Sequence, residues 1–301
     1  MIQQLFGTIT VSYQGGKIMD EKNHTLTAEQ INRYRAFLHE QERAEATIQK
    51  YLRDLHALEE YLGGKQLTKL TLIGWKEQLN QTHAPSSVNS MLAAINGFLT
   101  FMNWQELKVR LLKIQKPVFC DQNRELIRDE YIRLVNAAKQ EGNERLSLVL
   151  QTICATGIRV SELRFITAEA VYLGHAKIIN KGKHRMVFLP QKLCQILKKY
   201  LKKQKRTAGA VFTTRTGRPL DRSNIWREMK SLCQSAGVEP GKVFPHNLRH
   251  LFARTYYTLE HDLSRLADIL GHSSINTTRI YTMESGLVHS RQISRMGLII
   301  T

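Results

Sequence analysis

The stretch Thr156-Gly157-Ile158-Arg159-Val160-Ser161-Glu162-Leu163 decides how the chain is read. Leu146, Leu148, Val149, Leu150 and Ile153 precede it as a nearly all-apolar helix, and Gly157 suits the left-handed cap that ends one. Arg159 falls between that stop and the next helix, where backbone amides and a guanidinium together form an anion site. Beyond it the periodicity changes. Val171-Tyr172-Leu173, Lys177-Ile178-Ile179 and Met186-Val187-Phe188-Leu189 read as three short antiparallel strands, the last two joined by the very basic turn Lys181-Gly182-Lys183-His184-Arg185. Two helices follow, then helices over 246–259 and 263–270 and a short one after Ser273-Ser274. The predicted fold is mainly α with a small antiparallel β-sheet.

Toward the N-terminus the signals are helical throughout. Thr27 and Gln30 form a capping box ahead of the face Ile31, Tyr34 and Leu38. Ile48, Tyr51, Leu52, Leu55, Leu58 and Leu62 run up to Gly63-Gly64. Leu72, Trp75 and Leu79 mark a third helix, and Pro85-Ser86-Ser87 opens a fourth with Val88, Met91, Leu92, Ile95, Leu99 and Met102 on one face. The predicted organisation is a tail over 1–25, holding the strand-like run Thr8-Ile9-Thr10-Val11-Ser12-Tyr13, then a compact helical domain over 26–104. A basic linker follows over 105–123, with Lys108, Arg110, Lys113 and Lys116 ahead of Pro117, and a second domain over 124–301.

The 301 residues carry 44 Lys and Arg against 26 Asp and Glu, a net charge of +18. Such a field favours a polyanion, most often nucleic acid and sometimes an anionic membrane surface. No apolar run reaches the ~18 residues of a spanning helix, and the N-terminus lacks a signal peptide's basic and apolar regions. A cytoplasmic protein is expected. Cys120, Cys154, Cys194 and Cys233 are 34, 40 and 39 positions apart with no CxxC pair, a pattern of scattered buried thiols rather than a zinc or redox site.

Two further motifs carry chemistry. In His246-Asn247-Leu248-Arg249-His250, helical spacing puts His246 and Arg249 side by side. His246 and His250 also have the spacing of a metal pair, but Asn247 stands where a zincin needs Glu, no third ligand is evident, and Arg249 opposes a divalent cation. In Leu270-Gly271-His272 the histidine follows a glycine helix stop, and Tyr281 comes nine positions later.

Together these motifs resemble the tyrosine recombinase (phage integrase) family, including the 23 positions between Arg249 and His272. Thr47-Ile48-x-x-Tyr51 in the N-terminal helices is similar to the family's core-binding domain, and the subgroup most alike is that of Xer-type recombinases and small mobile-element integrases. The resemblance implies a SAM-like core-binding domain over 26–104 and a catalytic domain over 124–301 whose C-terminal tail contacts another subunit. It implies catalytic roles for Tyr281, Arg159, Lys181, His246, Arg249 and His272, with Glu162 in support. The family's general acid is a lysine on the hairpin turn. Lys181 directly precedes the glycine, and Lys183 is the alternative because this turn is one residue short.

The chemistry of these residue types agrees. Charge that spreads over phosphodiester oxygens is stabilised by preorganised cations without any metal. Arg159 and Arg249 each offer a forked donor set, His272 adds a hydrogen bond, and a neutral phenol such as Tyr281 needs a base. His246, with an ordinary pKa of ~6.5, is the candidate. The implied reaction is site-specific recombination of double-stranded DNA through a 3′-phosphotyrosine and a Holliday junction. It would run in a homo-tetramer, or one shared with a related recombinase, with no cofactor, metal or membrane. Two alternatives are a type IB topoisomerase-like nicking-closing enzyme and a non-catalytic DNA-binding protein on the same fold. The intact residue set argues against the second. The apolar tail Leu287, Val288, Ile293, Met296, Leu298, Ile299 and Ile300 argues against the first.

Overall fold

The chain resolves into two compact units, residues 1–116 and 117–301. The structure is a computed structural model that describes residues 24–115, 124–180, 183–281, 294–296 and 298. The strand-like run at 8–13, Cys120, Lys181 and Gly182 of the basic turn, and Leu287, Val288, Ile293, Ile299 and Ile300 lie outside the described residues.

In the first unit Thr27 starts α1 (Ala28–Glu40) by the expected capping box: its hydroxyl accepts from Gln30 N–H at 3.3 Å, and the Gln30 side chain accepts from Thr27 N–H at 3.0 Å. Helices α2 (Glu45–Leu62), α3 (Lys69–Thr82) and α4 (Pro85–Phe101) follow. Their apolar stripes close one core containing Ile31, Tyr34, Ile48, Leu55, Leu58, Leu72, Trp75, Leu92, Ile95 and Phe98. Asp54 is buried on α2 and is held by Lys50 at 2.5 Å, whose ammonium also donates to the Ser90 carbonyl of α4 at 2.7 Å. That bond ties two helices and neutralises a carboxylate that burial would otherwise penalise.

Residues 105–115, part of the segment read as linker, are ordered. A 3₁₀ turn at Gln105–Leu107 leads into an extended strap that two α4 asparagines hold like a strand partner. Asn96 accepts from Val109 N–H at 3.1 Å and donates to Val109 C=O at 2.9 Å; Asn89 does the same for Leu112 at 2.7 and 2.9 Å. Leu107 and Val109 complete the core.

The second unit is built round α6 (Glu144–Thr156), whose residues are buried on all sides, as its composition requires. It is flanked by α5 (Arg128–Gln140), α8 (Gln191–Lys203), α9 (Arg222–Ala236) and α10 (Pro245–Glu260). Gly157 ends α6 at φ +64°, and a Cβ there would stand 2.4 Å from the Phe252 ring of α10, so only glycine fits. Then come α11 (Leu263–Leu270) and α12 (Ile275–Arg279), as read from the sequence.

One expectation is corrected. Val171-Tyr172-Leu173 is not a strand but the end of α7 (Ala168–Leu173). Thr167 caps this helix through Ala170 N–H at 3.2 Å, and Gly174 closes it at φ +78°. Its β-branched and aromatic run has strand propensity, but the cap, the glycine stop and the burial of Ala168, Ala170 and Val171 override it. The described sheet is therefore the two-stranded hairpin β1 (His175–Asn180) and β2 (Lys183–Phe188), in antiparallel register from His175↔Phe188 to Asn180↔Lys183. Ala176, Ile178 and Val187 face the core; Ile179, Met186 and Phe188 face out. Cys194 and Cys233 are buried free thiols and Cys154 is a partly buried one, its pKa pushed up by burial to about 12. Among the described residues no helix is long and apolar enough to cross a membrane.

Candidate active site

Arg159 emerges where α6 stops, at the head of a 3₁₀ turn over Val160–Phe165. Its backbone N–H donates to Glu162 Oε2 at 2.8 Å and its Nη1 to Glu162 Oε1 at 3.0 Å. The Arg159 side chain is 38% exposed, while Glu162 is buried at 1%. Burial alone would raise the Glu162 pKa. The Arg159 backbone bond and the Arg185 and Arg159 charges outweigh it and hold the carboxyl below its ordinary value.

Arg249 is the centre of the arrangement. Burial at 1% would be costly for an unmatched guanidinium. Nη1 donates to the Gly157 carbonyl at 2.5 Å, and Nη2 to the Leu270 carbonyl at 2.7 Å. These carbonyls end α6 and α11, so one cation joins two helix C-termini, where the helix dipole favours positive charge. Burial, and then the Arg159 charge, push its pKa down to about 10 while the Tyr281 phenol acts the other way, so it remains charged at neutral pH. Among the described residues its Nε has no hydrogen-bond partner. Buried donors are rarely left without a partner.

His272 follows Gly271 (φ +65°) after α11. Its Nε2 stands 3.0 Å from Arg249 Nη2 and its Nδ1 2.8 Å from the buried Thr278 hydroxyl. A guanidinium only donates, so Nε2 accepts and the ring proton sits on Nδ1, donated to Thr278. Burial, then Arg249 and its neighbouring cations, lower the His272 pKa to about 4.

Tyr281 is 3% exposed and packs on Ala253, Leu266 and Leu270. Its ring lies between two histidines: edge to face with His250 at 4.7 Å and nearly parallel to His272 at 5.8 Å. His250 in turn stands edge to face with His246 at 4.6 Å. Burial, then His246 and Arg249, lower the His250 pKa to about 4. His246 is at the exposed start of α10; desolvation of its ring, then the Arg249, Arg159 and Arg222 charges, push it below 6.5. Among the described residues no third metal-binding side chain joins this pair. An open cleft of about 680 Å³ is lined by Arg159, Glu162, His184, Arg185, His272 and Ser273.

The structure thus brings Arg159, Glu162, Arg249, His272 and Tyr281 into one connected set. It places His246 one ring away from Tyr281. Lys181 lies outside the described residues, and Lys183 is the first residue of β2. The sequence reading gave no role in this set to Arg185, Thr278 or His250. Arg185 carried a signal, since strand alternation puts it on the inward face between Ile178 and Val187, an odd place for a cation.

Comparison with known proteins identifies the family. The pattern of the phage integrase family matches residues 124–286, and that of the phage integrase N-terminal SAM-like domain matches 31–106. Tyrosine recombinase XerD of Halalkalibacterium halodurans is 30% identical over 283 residues, spanning 83% of this chain and 92% of its own. The fold is shared with XerH site-specific recombinase bound to its difH substrate (TM-score 0.66, 20% identity, 89% of this chain and 84% of that one). It is shared too with a lambda integrase tetramer bound to a Holliday junction (TM-score 0.70, 16% identity, 86% and 78%). The two family patterns and the recombinase relative agree, and the chain belongs to the phage integrase family.

Proposed function

We propose that Tyr281 attacks a DNA phosphodiester seated between Arg159 and Arg249 in the course of site-specific strand exchange. The tyrosine oxygen bonds to phosphorus, the bond from phosphorus to the 5′ oxygen breaks, and the 3′ phosphate stays on the protein. The phenolic proton passes to His246, and the leaving 5′ oxygen takes a proton from Lys181. Attack by the partner strand's 5′ hydroxyl reverses both transfers and frees Tyr281. Phosphodiester energy is kept in the phosphotyrosine, so the cycle needs no high-energy cofactor.

The observation that carries this reading is the buried Arg249 cation, bonded to His272 and influenced by the Tyr281 phenol, behind a cleft that Arg159 and His272 line. Preorganised cations of this kind stabilise charge as it develops and need no reorganisation during the step. His250, at about 4, is too weak a base at neutral pH, which leaves His246. Recombinase relatives span both units, which favours strand exchange over simple nicking and closing. The working assembly is a tetramer on two double-stranded sites, acting on DNA in the cytoplasm. The direct test incubates the protein with a pool of randomised duplexes carrying nicks. Denaturant-resistant protein–DNA adducts are recovered and their DNA sequenced. Adducts with a common sequence at the joint are expected, and their absence at every protein concentration overturns the reading.

Two predictions refine the proton transfers. Because the His246 pKa is lowered, its basic form persists as pH falls through 6.5 and is lost only below it. The acid limb of kcat/KM, which reports groups of the free protein, is expected below pH 6.5; a midpoint above that value removes His246 from the role. For the acid, Lys181→Ala is expected to slow cleavage of a normal substrate but not of one with a 5′-bridging sulfur, which leaves without a proton. If Lys183→Ala shows that rescue and Lys181→Ala does not, the acid is Lys183.

A further inference from the structure

Arg185 occupies a position the cleavage steps above do not use. It lies on the inward face of the hairpin, opposite Ile178, with its side chain only 14% exposed. Nη2 donates to Glu162 Oε2 at 2.5 Å, and Nη1 to the Ile269 carbonyl at 2.8 Å. The Ile269 carbonyl belongs to the last turn of α11, whose final carbonyls have no helical partner. Arg185 and Arg249 therefore cap the same helix end from two sides. A Cβ on Gly271 would stand 2.7 Å from Arg185 Cδ, so the glycine that presents His272 also makes room for this arginine.

Charge gives the arrangement a purpose. Glu162 is a buried carboxylate facing two guanidinium groups, Arg159 and Arg185. With Arg159 alone, the carboxylate would cancel the charge of the more exposed of the two described arginines that line the cleft, 38% against 14% for Arg185. With Arg185 present, Glu162 is neutralised from behind, and Arg159 keeps its net attraction for an anion while still being oriented.

We propose that Arg185 is a positioning residue for the strand-cleavage step: as the counter-cation of Glu162, anchored on the Ile269 carbonyl, it leaves the charge of Arg159 available to the substrate phosphate. The hairpin is thereby coupled to the cleft, since the strand that carries Arg185 continues from the basic turn. This inference rests on the recombinase reading.

The test uses the full-length protein and a nicked duplex recovered from the randomised pool. Arg185→Gln is expected to slow single-turnover adduct formation by roughly 10- to 100-fold, by analogy with the loss of a hydrogen-bond partner behind a metal ligand. Affinity for a single site should stay within about twofold, because binding is spread over many phosphates. In a Glu162→Gln background the same substitution should cost no more than about twofold, because no buried carboxylate remains to be balanced. Arg185→Lys, which keeps the charge and loses the fork, should recover part of the rate. A wild-type rate in Arg185→Gln, or losses that simply multiply in the double variant, overturns the proposal. Should Arg185→Gln fail to fold, Glu162→Gln/Arg185→Gln compared with Glu162→Gln decides: matching rates support the proposal and a further tenfold loss overturns it. The Glu162 carboxyl carbon, followed by NMR in Arg185→Lys and Arg185→Gln, gives an answer independent of catalysis. Its titration should move to higher pH in the glutamine variant and stay near wild type in the lysine variant; an unchanged titration in both overturns the charge sharing. Failure of the wild-type protein itself to form adducts would instead refute the recombinase reading.

Discussion

Tyr281→Phe should form no denaturant-resistant adduct with any nicked duplex, while binding DNA as tightly as the wild type. The substitution removes one oxygen and nothing else. The ring keeps its packing on Ala253, Leu266 and Leu270 and its contacts with His250 and His272. The lost hydroxyl is worth about 0.5–1.5 kcal/mol if it is hydrogen-bonded, so the fold and the Arg249 cluster should persist. Two measurements check this: gel-shift affinity on one site and adduct yield on a nicked one. Adduct formation by Tyr281→Phe would remove Tyr281 from the reaction, and loss of binding in parallel would mean that the phenol is structural.

Arg249→Ala should fail in both respects. Cleavage should fall by at least ~10²-fold, the usual cost of deleting one preorganised donor from a site where charge develops. The fold should weaken too. The Gly157 and Leu270 carbonyls lose their partner, and a buried group left unpaired costs about 1–3 kcal/mol each. His272 loses the donor that fixes its tautomer. Arg249→Lys should recover little, since a single ammonium cannot span both carbonyls and Nε2. Thermal unfolding and single-turnover cleavage measure the two effects separately. An Arg249→Ala protein with wild-type melting temperature and adduct rate would contradict the central role given to this residue.

What was legible in the sequence follows from which interactions leave a local trace. The buried helix α6 advertised itself by being apolar all round, and Gly157 by the positive φ that only glycine adopts without strain. His246 and Arg249 were placed together by helical period alone. Val171-Tyr172-Leu173 misled because three residues are too few to distinguish a strand from the last turn of a capped helix. The strap at 105–115 was hidden for another reason: it has no periodicity of its own and borrows order from Asn89 and Asn96, more than ten residues upstream. Arg185, Thr278 and His250 join the Glu162, His272 and Tyr281 side chains by bonds and ring contacts across separate elements, and such pairing leaves no repeat for a sequence reading to catch. The hairpin lysine was named from resemblance alone, and Lys181 lies outside the described residues.

The asparagine-held strap also sets where the first unit can be cut from the chain. The family pattern for the SAM-like domain ends at residue 106, yet Val109 still fills the helical core, and Asn89 and Asn96 still spend their amide groups on residues 109 and 112. A fragment stopped at 106 would expose a strip of α4 and strand two polar side chains at its edge. A fragment continued to about 115 keeps that seam shut, and is the piece that should express as a soluble, independently folded body for binding studies.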